Sequence, residues 1–197
     1  MTELFDRLLS SGNALLIDIL ECAFDAIGPK DKYGSPIEVA FAAATHALCT
    51  TRFQDEVGYV AEFGLTHRQL CERPMEGRQF AAVAPQVQIG LSRVDFLIVH
   101  PRGLSGLGGV VIEVDGHDFH ERTKEQAQRD KARDRELQDR GFRVFRFTGS
   151  EVWRDPFSCA QDAIMHAHSV SIDALHARHL MSVGDINGAK RALSWMH

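Results

Sequence analysis

The chain has 197 residues, 44% of them hydrophobic and 25% charged, enough apolar material to bury the core of one compact domain. No run approaches the roughly 18 apolar residues of a membrane span, and the start, Met1-Thr2-Glu3-Leu4-Phe5-Asp6, lacks the basic residues and cleavage site of a signal peptide, so the cytoplasm is the expected compartment and no membrane partner is expected. A net charge of −5 argues against nucleic-acid binding through overall charge, and Cys22, Cys49, Cys71 and Cys159 form no CxxC pair, which points to buried free thiols.

Apolar residues at helical spacing from Leu4 to Ile27, interrupted near Ser10-Ser11-Gly12-Asn13, predict one broken helix or two. Gly28 to Gly34 reads as a loop. Ser35 then caps a helix with Pro36 and Glu38 in its first turn, running to about Leu48. Residues 49–85 hold no period, and a short helix over Thr66–Glu72 is all they suggest. Val87-Gln88-Ile89 alternates and Arg93 to His100 is β-branched and aromatic, which predicts two strands of a hairpin. After the glycine-rich turn from Pro101 to Gly109, Val110-Val111-Ile112-Glu113-Val114-Asp115 reads as a central strand. A polar helix from Arg122 to Arg140 stops at Gly141, and Phe142 to Phe147 alternates as the next strand.

Strand, helix and strand in that order predict parallel neighbours at 110–115 and 142–147, hence a mixed sheet of about four strands flanked by helices. Ser150 is expected to cap a helix over about 151–168, and 172–181 and 186–196 read as short helices. The division expected is a helical extension over 1–34, a core over 35–168 and a helical appendage over 169–197, all in one compact unit. Whether the N-terminal 30 residues pair two chains as a homodimer stays open.

Asp95 lies inside an otherwise apolar strand, and Glu113 and Asp115 end the next one. Burying carboxylates is costly without compensation, and neighbouring strands would bring these like charges together, which a divalent cation turns into attraction. Mg²⁺, or Mn²⁺ in its place, suits such an acid cluster and can activate water for phosphoryl chemistry. The purely structural alternative pairs Asp95 with Arg93 or Arg146 and leaves Glu113 and Asp115 pointing into solvent. Between Arg122 and Arg146 nine Lys or Arg residues face five acids, a basic stripe on an acidic chain.

Arg93-Val94-Asp95-Phe96, Ile112-Glu113-Val114-Asp115-Gly116-His117 and Arg143-Val144-Phe145-Arg146-Phe147, with the helix between, resemble the PD-(D/E)xK, or restriction-endonuclease-like, superfamily over about residues 35–165. More narrowly they are similar to the domain of unknown function 559, related to very short patch repair endonucleases. The resemblance implies an α/β fold with a mixed α+β core, in which acids hold a divalent metal for cleavage of nucleic acid, DNA being the expected substrate. Asp95 and Glu113 match the two acids, and Glu38 matches the acid often contributed by the first core helix. The lysine usual two residues after the second acid is Asp115 here. His117 or His120 could move a proton or donate to phosphate, while Lys124 and Lys131 are rival sources of the missing ammonium. Gln126, Arg129 and Arg133 on the polar helix, and Ser150 at the next helix start, are candidate nucleic-acid contacts. Two other readings are a nuclease-fold module that binds nucleic acid or docks a protein without catalysis, and a structural zinc site on His117 and His120.

Overall fold

The computed structural model describes residues 14–74, 81–100, 109–115 and 124–192. In chain order these form α1 (Ala14–Ala26), a 3-10 turn (Lys30–Lys32), α2 (Pro36–Thr50), β1 (Val57–Tyr59), α3 (His67–Cys71), β2 (Ala81–Ile89), β3 (Ser92–Val99), β4 (Val110–Asp115), α4 (Lys124–Asp139), β5 (Arg143–Thr148), α5 (Gly149–Arg154), α6 (Pro156–Ser182) and α7 (Ile186–Ala192). The architecture is a mixed α/β fold whose five-stranded sheet runs in the order β1-β2-β3-β4-β5. β2, β3 and β4 are antiparallel neighbours, and β1 and β5 add parallel to the two flanks.

One more strand is present than the four legible in the sequence. β1 has three residues, too short to show a period, and β2 begins at Ala81, where Ala81-Ala82-Val83-Ala84-Pro85 is poor strand sequence. Pro85 is tolerated because β1 pairs only with residues 81–83 and leaves this side of β2 without a strand carbonyl that would need the missing proline N–H.

The helix starts follow capping chemistry. Ser35 Oγ accepts the Glu38 N–H at the head of α2, with Pro36 at its first position. The cap expected at Ser150 is instead Thr148, which forms a reciprocal capping box with Glu151. Ser150 is exposed in the first turn of α5. The helix expected over 151–168 is broken at Asp155-Pro156, where Asp155 caps α6 and proline disfavours a helical residue before it. α6 then continues for 27 residues without the break expected near 170. Gly141 has φ +83° and ends α4 as expected of a glycine at that position.

The sheet is packed on both faces. α2, α5 and α6 cover Val83, Phe96, Ile98, Ile112, Val114 and Phe147 on one side. On the other, Leu70 of α3 and Leu137 of α4 pack with Ala84, Val87, Val94, Leu97, Val111 and Phe142. Leu20 and Ala23 are buried on α1 and Ile27 directly after it, and α1 packs on α2. Of the four thiols, all free, Cys49 and Cys159 are buried as expected, whereas Cys22 is exposed and Cys71 half-buried. Among the described residues no helix is long and apolar enough to cross a membrane.

Phe41 ties α2 to the sheet, its ring 4.9 Å from Phe96 and 5.7 Å from Phe147, and it is fully buried. Phe41→Ala is therefore expected to lower unfolding free energy by about 3–5 kcal/mol, read from urea denaturation. A loss under about 1 kcal/mol would show that this ring does not anchor the helix.

Candidate active site

Glu38 is only 5% exposed, although it stands in the first turn of a helix. Its carboxylate folds back over the cap: the Gly34 N–H donates to Oε2 at 2.9 Å and the Ser35 hydroxyl to Oε1 at 3.1 Å. A Cβ on residue 34 would stand 2.6 Å from that Oε1, so only glycine lets the carboxylate approach its own entry loop this closely. Burial, and next the charge of Asp95, raise the Glu38 pKa.

The remaining donor to Glu38 is Gln86, whose Nε2 lies 2.7 Å from Oε2 in a buried bond. Gln86 is itself 5% exposed and has φ +51°, the single non-glycine residue with positive φ among the described residues. In the β2–β3 ladder Pro85 pairs Phe96 and Val87 pairs Val94, so Gln86 stands opposite Asp95 with no ladder pairing between them. Ala84 and Val87 both join the cluster beneath α4, which means the in-out alternation slips at Gln86 and frees its side chain to reach α2. Sequence reasoning missed this residue. Pro85 inside a strand was the available signal, since proline there marks an irregularity.

Across the sheet, β3 pairs β4 only at Phe96–Ile112, Leu97–Val111 and Ile98–Val110. Beyond that point the Asp95 side chain takes over, its Oδ2 accepting the Val114 N–H at 2.9 Å. Glu113 is 6% exposed and is gripped by Arg133 of α4, whose two terminal nitrogens lie 2.8 Å and 3.1 Å from its two oxygens. Arg133 also donates to the Arg93 carbonyl at 2.6 Å. Asp115 receives Arg146 at 3.3 Å and 3.4 Å, and the other terminal nitrogen of Arg146 reaches Asp134 of α4 at 2.6 Å. Glu113 and Asp115 thus do not point into solvent, and Asp95 pairs with a backbone N–H rather than with Arg93 or Arg146.

Electrostatics join these groups into one cluster. Burial pushes Asp95 up; the Val114 N–H and Arg133 oppose that rise, and Asp115 adds to it. Burial first, and the Asp95 charge second, push Glu113 up to about 7 despite Arg133. Asp95 is the hub, acting on Glu38 from one side and on Glu113 from the other.

Residues 73–166 match the family model REase_MTES_1575. This is a restriction-endonuclease-like family, and the match supports the PD-(D/E)xK superfamily and a nuclease-type function for the chain. Asp95, Glu113, Asp115, Gln86, Arg133 and Arg146 fall inside the matched span, whereas Glu38 precedes it. Neither the curated proteins nor the solved structures gave a match.

Of the other candidates within the REase_MTES_1575 match, His117 and His120 lie outside the described residues, as do the side chains of Lys124 and Gln126. Lys131 is exposed on α4, two residues and so about 200° around the helix from Arg133, away from Glu113. Arg129 is exposed one turn before Arg133. Among the described residues no three His, Cys, Asp or Glu side chains are gathered as a ready ligand set. In chemistry the donors Glu38, Asp95 and Glu113 suit a hard divalent cation, since all are carboxylates. In arrangement, both Glu113 oxygens are given to Arg133, so holding an ion there requires that guanidinium to move aside.

Two outcomes follow from this geometry. Gln86→Ala and Gln86→Gly both remove the bond to Glu38, but only glycine relaxes at φ +51°; the glycine variant is expected to be the more stable by about 1 kcal/mol in chemical denaturation, and equal stabilities would contradict left-handed strain at this position. Because the Glu113 pKa is raised when folded, the native chain holds a proton that the unfolded chain releases. The resulting stability is complete below the ordinary carboxylate range and is lost as pH rises through about 7. In metal-free buffer the melting temperature of Glu113→Gln should therefore gain on that of the wild type as pH goes from about 5 to about 8. A constant difference would show that Glu113 titrates normally.

Proposed function

We propose that the protein is a divalent-metal-dependent nuclease that hydrolyses phosphodiester bonds of nucleic acid, with DNA as substrate, Mg²⁺ or Mn²⁺ as cofactor and the cytoplasm as its compartment. The observation that carries this reading is the meeting of Asp95 and Glu113 on neighbouring strands where β3 and β4 part, each held in a setting that disfavours its charge. Each of the two has a structural partner, Asp95 the Val114 N–H and Glu113 Arg133, but burying like charges together costs stability, a cost that a divalent cation would offset.

In this reading Asp95 and Glu113 hold the metal, joined by Glu38 from α2. The bound cation would supply water activation and stabilisation of charge on the phosphate. Asp115, with His117 or His120, tunes the proton balance of the attacking water. Arg129 and the basic stripe of α4 place the backbone of the nucleic acid. The narrower kinship, with the domain of unknown function 559 and very short patch repair endonucleases, belongs to the same proposal.

A second reading is a nuclease-fold module that binds nucleic acid or docks a protein without cutting. It is favoured by Asp115 in place of the usual lysine and by the two-pronged hold of Arg133 on Glu113. The two differ in turnover. Incubation of plasmid and single-stranded DNA with Mg²⁺ or Mn²⁺ should give cleavage by the wild type and a loss of at least about 10²-fold in Asp95→Ala. Equal cleavage by the variant would remove Asp95 from the site. Salt-dependent binding with neither turnover nor calorimetric uptake of metal would establish the second reading.

A further inference from the structure

Asp115 stands where the superfamily pattern has its lysine, so the positive charge that would meet the substrate phosphate must come from elsewhere. Most nearby cations are already engaged. Arg133 is bound to Glu113 and to the Arg93 carbonyl, and Arg146 to Asp115 and Asp134. Withdrawing Arg146 would strand two half-buried carboxylates, which is costly, and Arg133 leaves Glu113 only when a metal replaces it there, with the Arg93 carbonyl still to hold. Lys131 points away from the acids.

Arg93 differs on each count. Its side chain is exposed, and among the described residues its guanidinium makes no hydrogen bond or ion pair. It nevertheless lies close enough to Glu38 for its charge to act on that carboxylate. Arg93 stands in β3 beyond the last β3–β4 pair, Phe96–Ile112, and its carbonyl accepts from Arg133, the residue that holds Glu113. A cation is thus offered by the neighbouring strand, two residues before Asp95.

We propose that Arg93 is the catalytic residue that contacts the scissile phosphate, its guanidinium donating to the non-bridging oxygens in place of the absent lysine. The proposal rests on the nuclease reading for its catalytic half only. A guanidinium suits the task because its planar fork pairs two oxygens at once and stays charged at any working pH. Turning it toward a phosphate breaks no bond to any of the described residues.

The experiment has a binding arm and a turnover arm, using the full chain and a labelled DNA duplex. In chelator, the slope of log affinity against log salt should become shallower by about 0.9 in Arg93→Ala, the value for one phosphate no longer neutralised, and return in Arg93→Lys. With Mn²⁺, Arg93→Ala should lose about 10²- to 10³-fold in kcat with little change in KM, and guanidinium ion added to the solution should restore part of it. An unchanged salt slope, or a wild type that does not bind the duplex, overturns the assignment. A wild type that cuts and an Arg93→Ala variant that cuts equally fast also overturns it, while leaving the nuclease reading standing. The expected shallower slope in Arg93→Ala, together with a wild type that never cuts, keeps Arg93 on the phosphate and overturns the nuclease reading instead.

Discussion

The hydrogen bond from the Val114 N–H to the Asp95 carboxylate holds the site open. Where β3 leaves β4 the ladder ends, and the first N–H beyond it would be an unsatisfied donor in the interior of the sheet. Asp95 satisfies that donor. The same side chain therefore makes the parting of the strands tolerable and occupies the gap the parting creates. Replaced by an apolar residue, it would leave Val114 orphaned; kept, it puts a half-buried carboxylate between two others.

The hairpin twists at the same level. Gln86, opposite Asp95, takes a left-handed backbone that few side chains adopt without strain and hands its amide to Glu38. Backbone irregularity and acid placement are thus one feature. The strained Gln86 and the Gly34 N–H hold the carboxylate of Glu38, and the Val114 N–H holds that of Asp95 where the strands diverge. Strain of this kind is characteristic of functional sites, where local stability is given up for geometry.

Much of this was legible. The β-branched and aromatic run of β3, the apolar run of β4 and the alternation of β5 carry strong local signals, as do Ser35-Pro36 at the head of α2 and Gly141 at the end of α4. Asp95 and Glu113 stood out because an acid in an apolar strand violates the pattern around it. What stayed hidden depends on partners distant in sequence. β1 exists because β2 offers it an edge. Gln86 reads as an ordinary strand residue until its backbone angle is known. Arg133, read as a nucleic-acid contact on a solvated helix, turns inward to Glu113 across 20 residues of chain, and no helical periodicity foretells that. Thr148 rather than Ser150 caps α5 because Glu151 sits three residues after the threonine and completes the capping box, a spacing visible in the sequence.

α4 shows how charge can stand in for apolar packing. Leu137 is its fully buried apolar anchor, while Arg133 and Asp134 fasten it to Glu113 and to Arg146. Arg146 bridges Asp134 of the helix and Asp115 of β4, so the acid in the lysine position is part of what seats the helix on the sheet. A lysine at 115 would face Arg146 as a like charge and take away one of the two carboxylates that hold it. The substitution at 115 and the inward turn of α4 are therefore coupled: each makes the other electrostatically tolerable. The site is better described by its balance of charge, carboxylates at the parting of two strands against arginines from β3, α4 and β5, than by the linear spacing of acid and lysine along a single strand.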